Sequence, residues 1–156
     1  MEPFIINVSS PVGTWGVEGT ERGVLRIHMP NERPRASRGT APKAVADAAK
    51  QLGEYFAGTR KRFKVRLGDT DATAFQRDVW DALVDIPFGQ VRTYAQVASA
   101  VQRPRASRAV GNANHANPWP VIVPCHRVVA SSGLGGYGGG EKVKRYLLEL
   151  EGVVFP

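Results

Sequence analysis

The sequence predicts two domains: an α/β domain over residues 1–70, with a small antiparallel sheet plus a helix, and a mainly α domain over residues 73–156 that contains a helix-turn-helix. Three observations carry this. Short apolar runs separated by turn residues fill the start of the chain. Helical apolar spacing takes over after Thr73. Between them, at Gly68–Thr73, the composition shifts to small and polar residues.

The elements follow in order. Phe4–Val8 is a short apolar strand. Thr14–Glu18 and Gly23–Met29 flank GTERG, which reads as a hairpin turn. The loop PNERPRASRGTAP, rich in proline and arginine, reads as exposed. Pro42 opens a helix in which Val45, Ala48, Ala49, Leu52, Tyr55 and Phe56 recur at helical spacing, and Gly58 ends it. Phe63, Val65 and Leu67 then alternate with Arg62, Lys64 and Arg66, predicting a strand with one apolar and one basic face. In the second domain, Phe75, Val79, Trp80 and Leu83 mark a helix over Thr73–Val84 that IPFG breaks. Thr93 is the N-cap of TYAQVASAV. RASRAVGNANHAN is a further helix, started near Pro104 and ended by Asn117-Pro118. After the glycine-rich SSGLGGYGGG, the last helix is EKVKRYLLELEG, closed by Gly152.

Bulk properties narrow the function. One cysteine permits no internal disulfide, so nothing points to secretion. MEPFIINVSS lacks the basic patch and apolar run of a signal peptide. No apolar stretch approaches the roughly 20 residues of a membrane helix. A cytoplasmic protein is expected, or a nuclear one in a eukaryote. The net charge of +7, from 21 basic and 14 acidic residues, favours a polyanionic partner such as nucleic acid. The paired helices agree. Arg103, Arg105 and Arg108 cluster at the start of the second one, where free N–H groups and the helix dipole also favour phosphate. Ala106, Ser107, Ala109, Gly111 and Ala113 are small, which suits close backbone approach to a sugar-phosphate chain better than reading of base edges.

PVIVPCHRVVASSG holds the only cysteine, Cys125. A lone cysteine is most often core packing. Three features point to chemistry instead: His126 follows directly, Pro120 and Pro124 stiffen the approach, and a glycine-rich loop lies downstream. His28, His115, His126 and one cysteine lack the spacing of a metal site, so no metal and no cofactor are expected. In a strand, adjacent side chains point to opposite faces, so a Cys125–His126 contact needs a bend or a bridging water. Lys144 and Glu151, seven apart, fall within about 20° on the last helix and offer a cation and a carboxylate to one face. On these residues alone a cysteine protease or acyl transferase stays open.

The stretches IPFGQVRTYAQVA (86–98), RAVGNANHANP (108–118), PCHRVV (124–129) and SSGLGGYGGG (131–140) together resemble the O6-alkylguanine-DNA alkyltransferases, or methylated-DNA–protein-cysteine methyltransferases. The resemblance covers nearly all of residues 73–152. It implies an RNase H-like N-terminal domain and a single-turnover reaction that moves an alkyl group from O6 of guanine, with O4-alkylthymine as a second substrate, to the protein's own cysteine. It implies duplex DNA bound through the minor groove, with the damaged base flipped out, by a monomer that assembles cooperatively on DNA. Carried over by position, Cys125 is the acceptor and His126 the base, acting through a water. Glu151 orients His126, Asn117 holds the turn before the thiol, Tyr94 donates a proton to the leaving guanine, and Lys144 supports the pocket. Arg108 fills the stack, with Thr93, Tyr94, Arg105, Ala106 and Ser107 beside the DNA. Val128, Ser131, Tyr137, Gly138 and Gly139 line the pocket. Trp119 replaces a smaller apolar residue of the family, which leaves pocket width or core packing as its role. Two other readings stay open here: a non-catalytic binder of alkylated DNA and a helix-turn-helix regulator.

Overall fold

The computed structural model describes residues 2–154, which divide between Thr70 and Asp71 into two compact units. In the first unit β1 (Phe4–Ser10), β2 (Gly13–Thr20) and β3 (Gly23–His28) form an antiparallel sheet in that order. A two-residue turn at Glu21–Arg22 pairs Thr20 with Gly23. α1 (Lys43–Phe56) packs on the sheet, and Trp15, Val17, Val24 and Ile27 from the strands bury against its Val45, Ala48, Leu52 and Tyr55. The helix ends in a Schellman motif: Gly58 has φ +79°, its N–H donates to Tyr55 O, and Thr59 N–H donates to Glu54 O at 2.9 Å.

The strand expected over Arg62–Leu67 does not form. The segment is extended, but it meets the sheet only at a parallel bridge between Leu67 and Val24. Further back, its backbone is satisfied by a side chain. Gln51 of α1 donates Nε2 to Lys64 O and accepts from Lys64 N–H, each at 2.9 Å, as a neighbouring strand would. Phe63 packs its ring 5.6 Å from Tyr55, while Arg62, Lys64 and Arg66 are exposed.

The second unit contains α2 (Ala74–Val84), α3 (Tyr94–Ala100), α4 (Ser107–His115) and α5 (Glu141–Leu150). Two short strands, β4 (Arg92–Thr93) and β5 (Val128–Val129), pair in parallel and were not expected. Thr73 and Thr93 cap α2 and α3 in the same way. Each hydroxyl accepts from the N–H three residues on, and Gln76 or Gln96 reaches back to the cap N–H. α3 also ends in a Schellman motif, with Gln102 at φ +62° and Arg103 N–H donating to Ala98 O at 2.8 Å.

That motif corrects the start of the next helix. The chain turns through Pro104, and α4 begins at Ser107 with Ala106 as its N-cap. Arg103 and Arg105 therefore lie in the turn, and only Arg108 of the three sits in the helix. Trp119 is a core residue. It is buried and meets Trp80 edge to face at 5.8 Å, while Trp80 Nε1–H donates to Ala113 O at 2.9 Å. Among the described residues no helix is long and apolar enough to cross a membrane.

Loss of the α2 cap gives a direct check on this unit. Thr73→Ala removes a hydroxyl acceptor from Gln76 N–H and should lower unfolding free energy by about 0.5–2 kcal/mol in urea denaturation.

Candidate active site

The thiol is delivered by a chain of tight turns. After α4, Asn117 Oδ1 accepts from Trp119 N–H at 2.9 Å and its Nδ2 donates to Val123 O at 2.8 Å. Val121, β-branched and buried, is held at φ +76°, a conformation such residues rarely adopt. Pro124 (φ −81°, ψ 68°) then forms an inverse γ-turn, with Cys125 N–H donating to Val123 O at 2.8 Å. A 3-10 turn over Cys125–Arg127 follows. This is the bend that the adjacent Cys125 and His126 require: the chain is not a strand here, and both side chains turn inward and are buried.

His126 Nε2 lies 2.7 Å from Glu151 Oε2. A carboxylate can only accept, so Nε2 carries the hydrogen and Nδ1 is left as the acceptor. Nδ1 is buried and makes no hydrogen bond. Burial holds His126 below its ordinary range, against the Glu151 bond and charge, which pull it upward. Burial likewise pushes the Cys125 thiol up, against Asn117, Tyr137 and Lys144, which pull it down. The resting pair is therefore a thiol and a neutral imidazole, so a thiolate has to be made by proton transfer.

Glu151 sits just past α5, as its C-cap. Gly152 at φ +86° closes a third Schellman motif, with Val153 N–H on Leu148 O at 2.8 Å, and so sets the Glu151 backbone. Burial alone would raise this carboxyl. The bonds and charges of His126 and Arg127 outweigh burial and hold it well below the usual carboxylate range.

Lys144, one face of α5 away from solvent, is fully buried. Its Nζ donates to Val128 O at 2.7 Å and to Gly136 O at 3.0 Å. It thereby ties β5 to the glycine-rich loop. Burial lowers its pKa to about 8, partly offset by the charge of a Cys125 thiolate. Tyr94, the first residue of α3, bonds to the Gly136 backbone and interacts electrostatically with Cys125. Burial and that charge raise its phenol pKa. Gly135, at φ +78°, passes so close that a Cβ there would lie 3.2 Å from Tyr94 Oη. Tyr137 reaches Cys125 directly. Cys125, His126, Glu151, Asn117, Tyr94, Lys144, Val128 and Tyr137 are thus gathered together. Ser131 and Gly138 lie exposed on the loop, with Gly139 half-buried. Arg108 is exposed on the first turn of α4, and Gly111 of that helix faces the Tyr94 ring. A cleft of about 550 Å³ lies apart from Cys125, lined by Asp78, Asp81, Asp85 and Arg103. Its carboxylates repel phosphate.

Comparison with known proteins agrees with this geometry. Residues 74–153 match the family model described as the DNA binding domain of 6-O-methylguanine DNA methyltransferase. The methylated-DNA–protein-cysteine methyltransferase of Methanosarcina acetivorans is 40% identical over 148 residues, covering 92% of this chain and 94% of that protein. The chain belongs to the methylated-DNA–protein-cysteine methyltransferase family. The crystal structure of the Mycobacterium tuberculosis O6-methylguanine methyltransferase aligns with a TM-score of 0.81 at 39% identity, over 96% of this chain and 92% of that one. That of Mycobacterium tuberculosis OGT in complex with DNA aligns with a TM-score of 0.82 at 44% identity, over 93% and 90%.

Two residues of this methyltransferase family member escape sequence reasoning. Asn114 of α4 donates Nδ2 to Cys125 O at 3.1 Å, linking that helix to the thiol turn. Arg127 is buried and forks onto Glu151, with Nε to Oε1 at 2.8 Å and Nη2 to Oε2 at 3.0 Å. A signal for Arg127 existed. A cation inside VIVPCHRVV, among apolar neighbours, has to be paired if the segment is buried.

The depressed carboxyl of Glu151 gives a signed pH dependence. Its stabilisation is present above the ordinary value of 4.5 and is lost as pH falls below it. Glu151→Gln should cost about 3–5 kcal/mol at neutral pH, because Arg127 is left buried without its partner charge. The difference from wild type in urea denaturation should shrink at about pH 3. A difference that stays constant with pH would remove the carboxylate charge from this account.

Proposed function

We propose that this protein repairs alkylated duplex DNA by transferring an alkyl group, once and irreversibly, from O6 of guanine to Sγ of Cys125. The observation that carries this reading is the thiol itself. It is buried beside a neutral imidazole whose free Nδ1 is an acceptor, and it faces a phenol and a buried ammonium. Family membership and the DNA-bound M. tuberculosis relative support it.

The roles follow from the chemistry. His126 takes the Cys125 proton at Nδ1, through a water, while Glu151 stabilises the imidazolium. The thiolate attacks the alkyl carbon. The S–C bond forms as the C–O6 bond breaks, and the electron pair goes to guanine. Guanine is a poor leaving group as an anion, so Tyr94 supplies a proton. The thioether is stable and restores no thiol, so each molecule acts once. Lys144 stabilises the transient thiolate and holds the loop through Gly136. Val128, Ser131, Tyr137, Gly138 and Gly139 wall the base pocket, and Asn117 fixes the approach to the thiol.

A base in a duplex cannot present this carbon, so it is flipped out at a cost of a few kcal/mol. α3 and α4 act as a helix-turn-helix on the minor groove. Arg108, exposed at the start of α4, enters the stack and offsets part of that cost. Thr93, Tyr94, Arg105, Ala106 and Ser107 lie along the backbone contact. Small residues on α4 favour sequence-tolerant binding, which suits damage that occurs anywhere. The protein acts as a monomer, with cooperative assembly on DNA, in the cytoplasm or the nucleus. Its N-terminal unit, three antiparallel strands followed by a helix and an extended return beside β3, is an abridged RNase H-like arrangement.

Intact-protein mass spectrometry after incubation with duplex containing O6-methylguanine should show one methyl group added, on the peptide holding Cys125. A folded sample with no adduct would sink the reading. Arg108→Ala should slow repair of duplex DNA while sparing reaction with free O6-benzylguanine. Equal losses on both substrates would exclude a stack-filling role.

A further inference from the structure

We infer that Arg127 is a positioning residue for this reaction: its guanidinium fork holds the Glu151 carboxylate in the one orientation that fixes the His126 ring with Nδ1 as the base. This rests on the alkyl-transfer reading and adds to it a residue to which that reading gives no part.

The geometry is specific. Both Glu151 oxygens accept from Arg127, through Nε at 2.8 Å and Nη2 at 3.0 Å. Oε2 is also the atom that meets His126 Nε2 at 2.7 Å. Arg127 is itself anchored from the opposite side. Nη1 donates to Ile86 O at 2.7 Å, and Cζ lies 5.9 Å from the Phe88 ring centre. Gly89 N–H points at Oε1 from the same loop, at 3.4 Å. The IPFG loop therefore seats the arginine, the arginine seats the carboxylate, and the carboxylate seats the imidazole. A planar fork does this where a point charge does not, because it constrains both oxygens at once.

The arrangement also divides the carboxylate between two cations. The charged groups acting on His126 are Glu151, Arg127 on its own turn, and Lys144. Without Arg127, Glu151 would serve His126 alone, and the ring would hold its proton to higher pH. A protonated ring cannot accept the thiol proton. Arg127 thus keeps the base both aimed and unloaded.

The test compares wild type, Arg127→Met, Arg127→Lys, Glu151→Gln and the double variant Arg127→Met/Glu151→Gln. The reading is the rate of Cys125 alkylation by free O6-benzylguanine, with no DNA present, from about pH 5 to 9. Arg127→Met should slow the reaction about 10- to 100-fold and move the acid limb of the profile to higher pH. Arg127→Lys should restore most of the limb position but not the rate. The double variant should be no slower than Glu151→Gln, since Arg127 acts only through that carboxylate. If Arg127→Met does not fold, Arg127→Lys and the double variant, which removes both buried charges together, decide the matter. Losses that multiply in the double variant, or an Arg127→Lys profile and rate matching wild type, overturn the inference. Wild type that takes up neither a benzyl group here nor a methyl group from duplex O6-methylguanine overturns the alkyl-transfer reading instead, so the two failures are distinct.

Discussion

The site depends on one buried carboxylate. Glu151 has no exposed side-chain surface, yet it stays ionised because an imidazole and a guanidinium share it. An unpaired carboxylate in such a place would neutralise or would unfold the region. Every part of the site is arranged to prevent that. The Schellman motif at Gly152 fixes its backbone, the 3-10 turn supplies both partners, imidazole and guanidinium, from consecutive residues, and the IPFG loop holds the arginine from behind. Consecutive residues in a strand would point apart. The inverse γ-turn at Pro124 is therefore as much a part of the chemistry as the thiol it precedes.

The electrostatics of the site leave reactivity switched off until it is used. Burial disfavours the charged forms of both Cys125 and His126. A permanently ionised thiol would be open to oxidation and to stray electrophiles. On the proposed mechanism, the thiol ionises only as its proton leaves for His126, when an alkyl carbon is held against it. Lys144 fits the same logic. Its two carbonyl partners hold an ammonium where negative charge will appear on sulfur, while burial keeps its pKa near 8. The charge is in place before the reaction needs it, so little reorganisation is required.

What the sequence disclosed was local. Thr93, Gly58 and Gly152 mark helix ends by chemistry that operates over three or four residues, and the structure uses each in that way. The cysteine and its histidine were visible as a pair, and the helical spacing of Lys144 and Glu151 set both on the side of α5 that meets the thiol turn. Two misreadings have different causes. The alternation over Arg62–Leu67 announces a strand, but beyond the bridge at Leu67 the backbone of Lys64 is paired by the side chain of Gln51, thirteen residues earlier. The start of α4 was placed at Pro104 because proline opens helices, but the αL residue at Gln102 had already committed the next residues to a turn. Arg127 was passed over because its partners, Ile86 and Glu151, lie 41 and 24 residues away.

Those distant partners bring four separated stretches of sequence to one site. IPFG supplies Ile86 O, Phe88 and Gly89 N–H to the arginine and the carboxylate. TYAQVA supplies Tyr94 at the start of α3, whose cap Thr93 pairs with Val129 of β5. The α4 stretch supplies Asn114 to the carbonyl of Cys125 and Asn117 to the turn before it. The glycine-rich loop supplies Gly136 O to Lys144 and lets the backbone pass within van der Waals contact of Tyr94. None of these supplied groups is an immediate neighbour of the thiol in sequence. Four loops and caps, each unremarkable alone, gather an imidazole, a phenol and an ammonium at the solitary cysteine. Asn114 bonds α4 directly to the carbonyl of Cys125, so the helix and the thiol turn are held together.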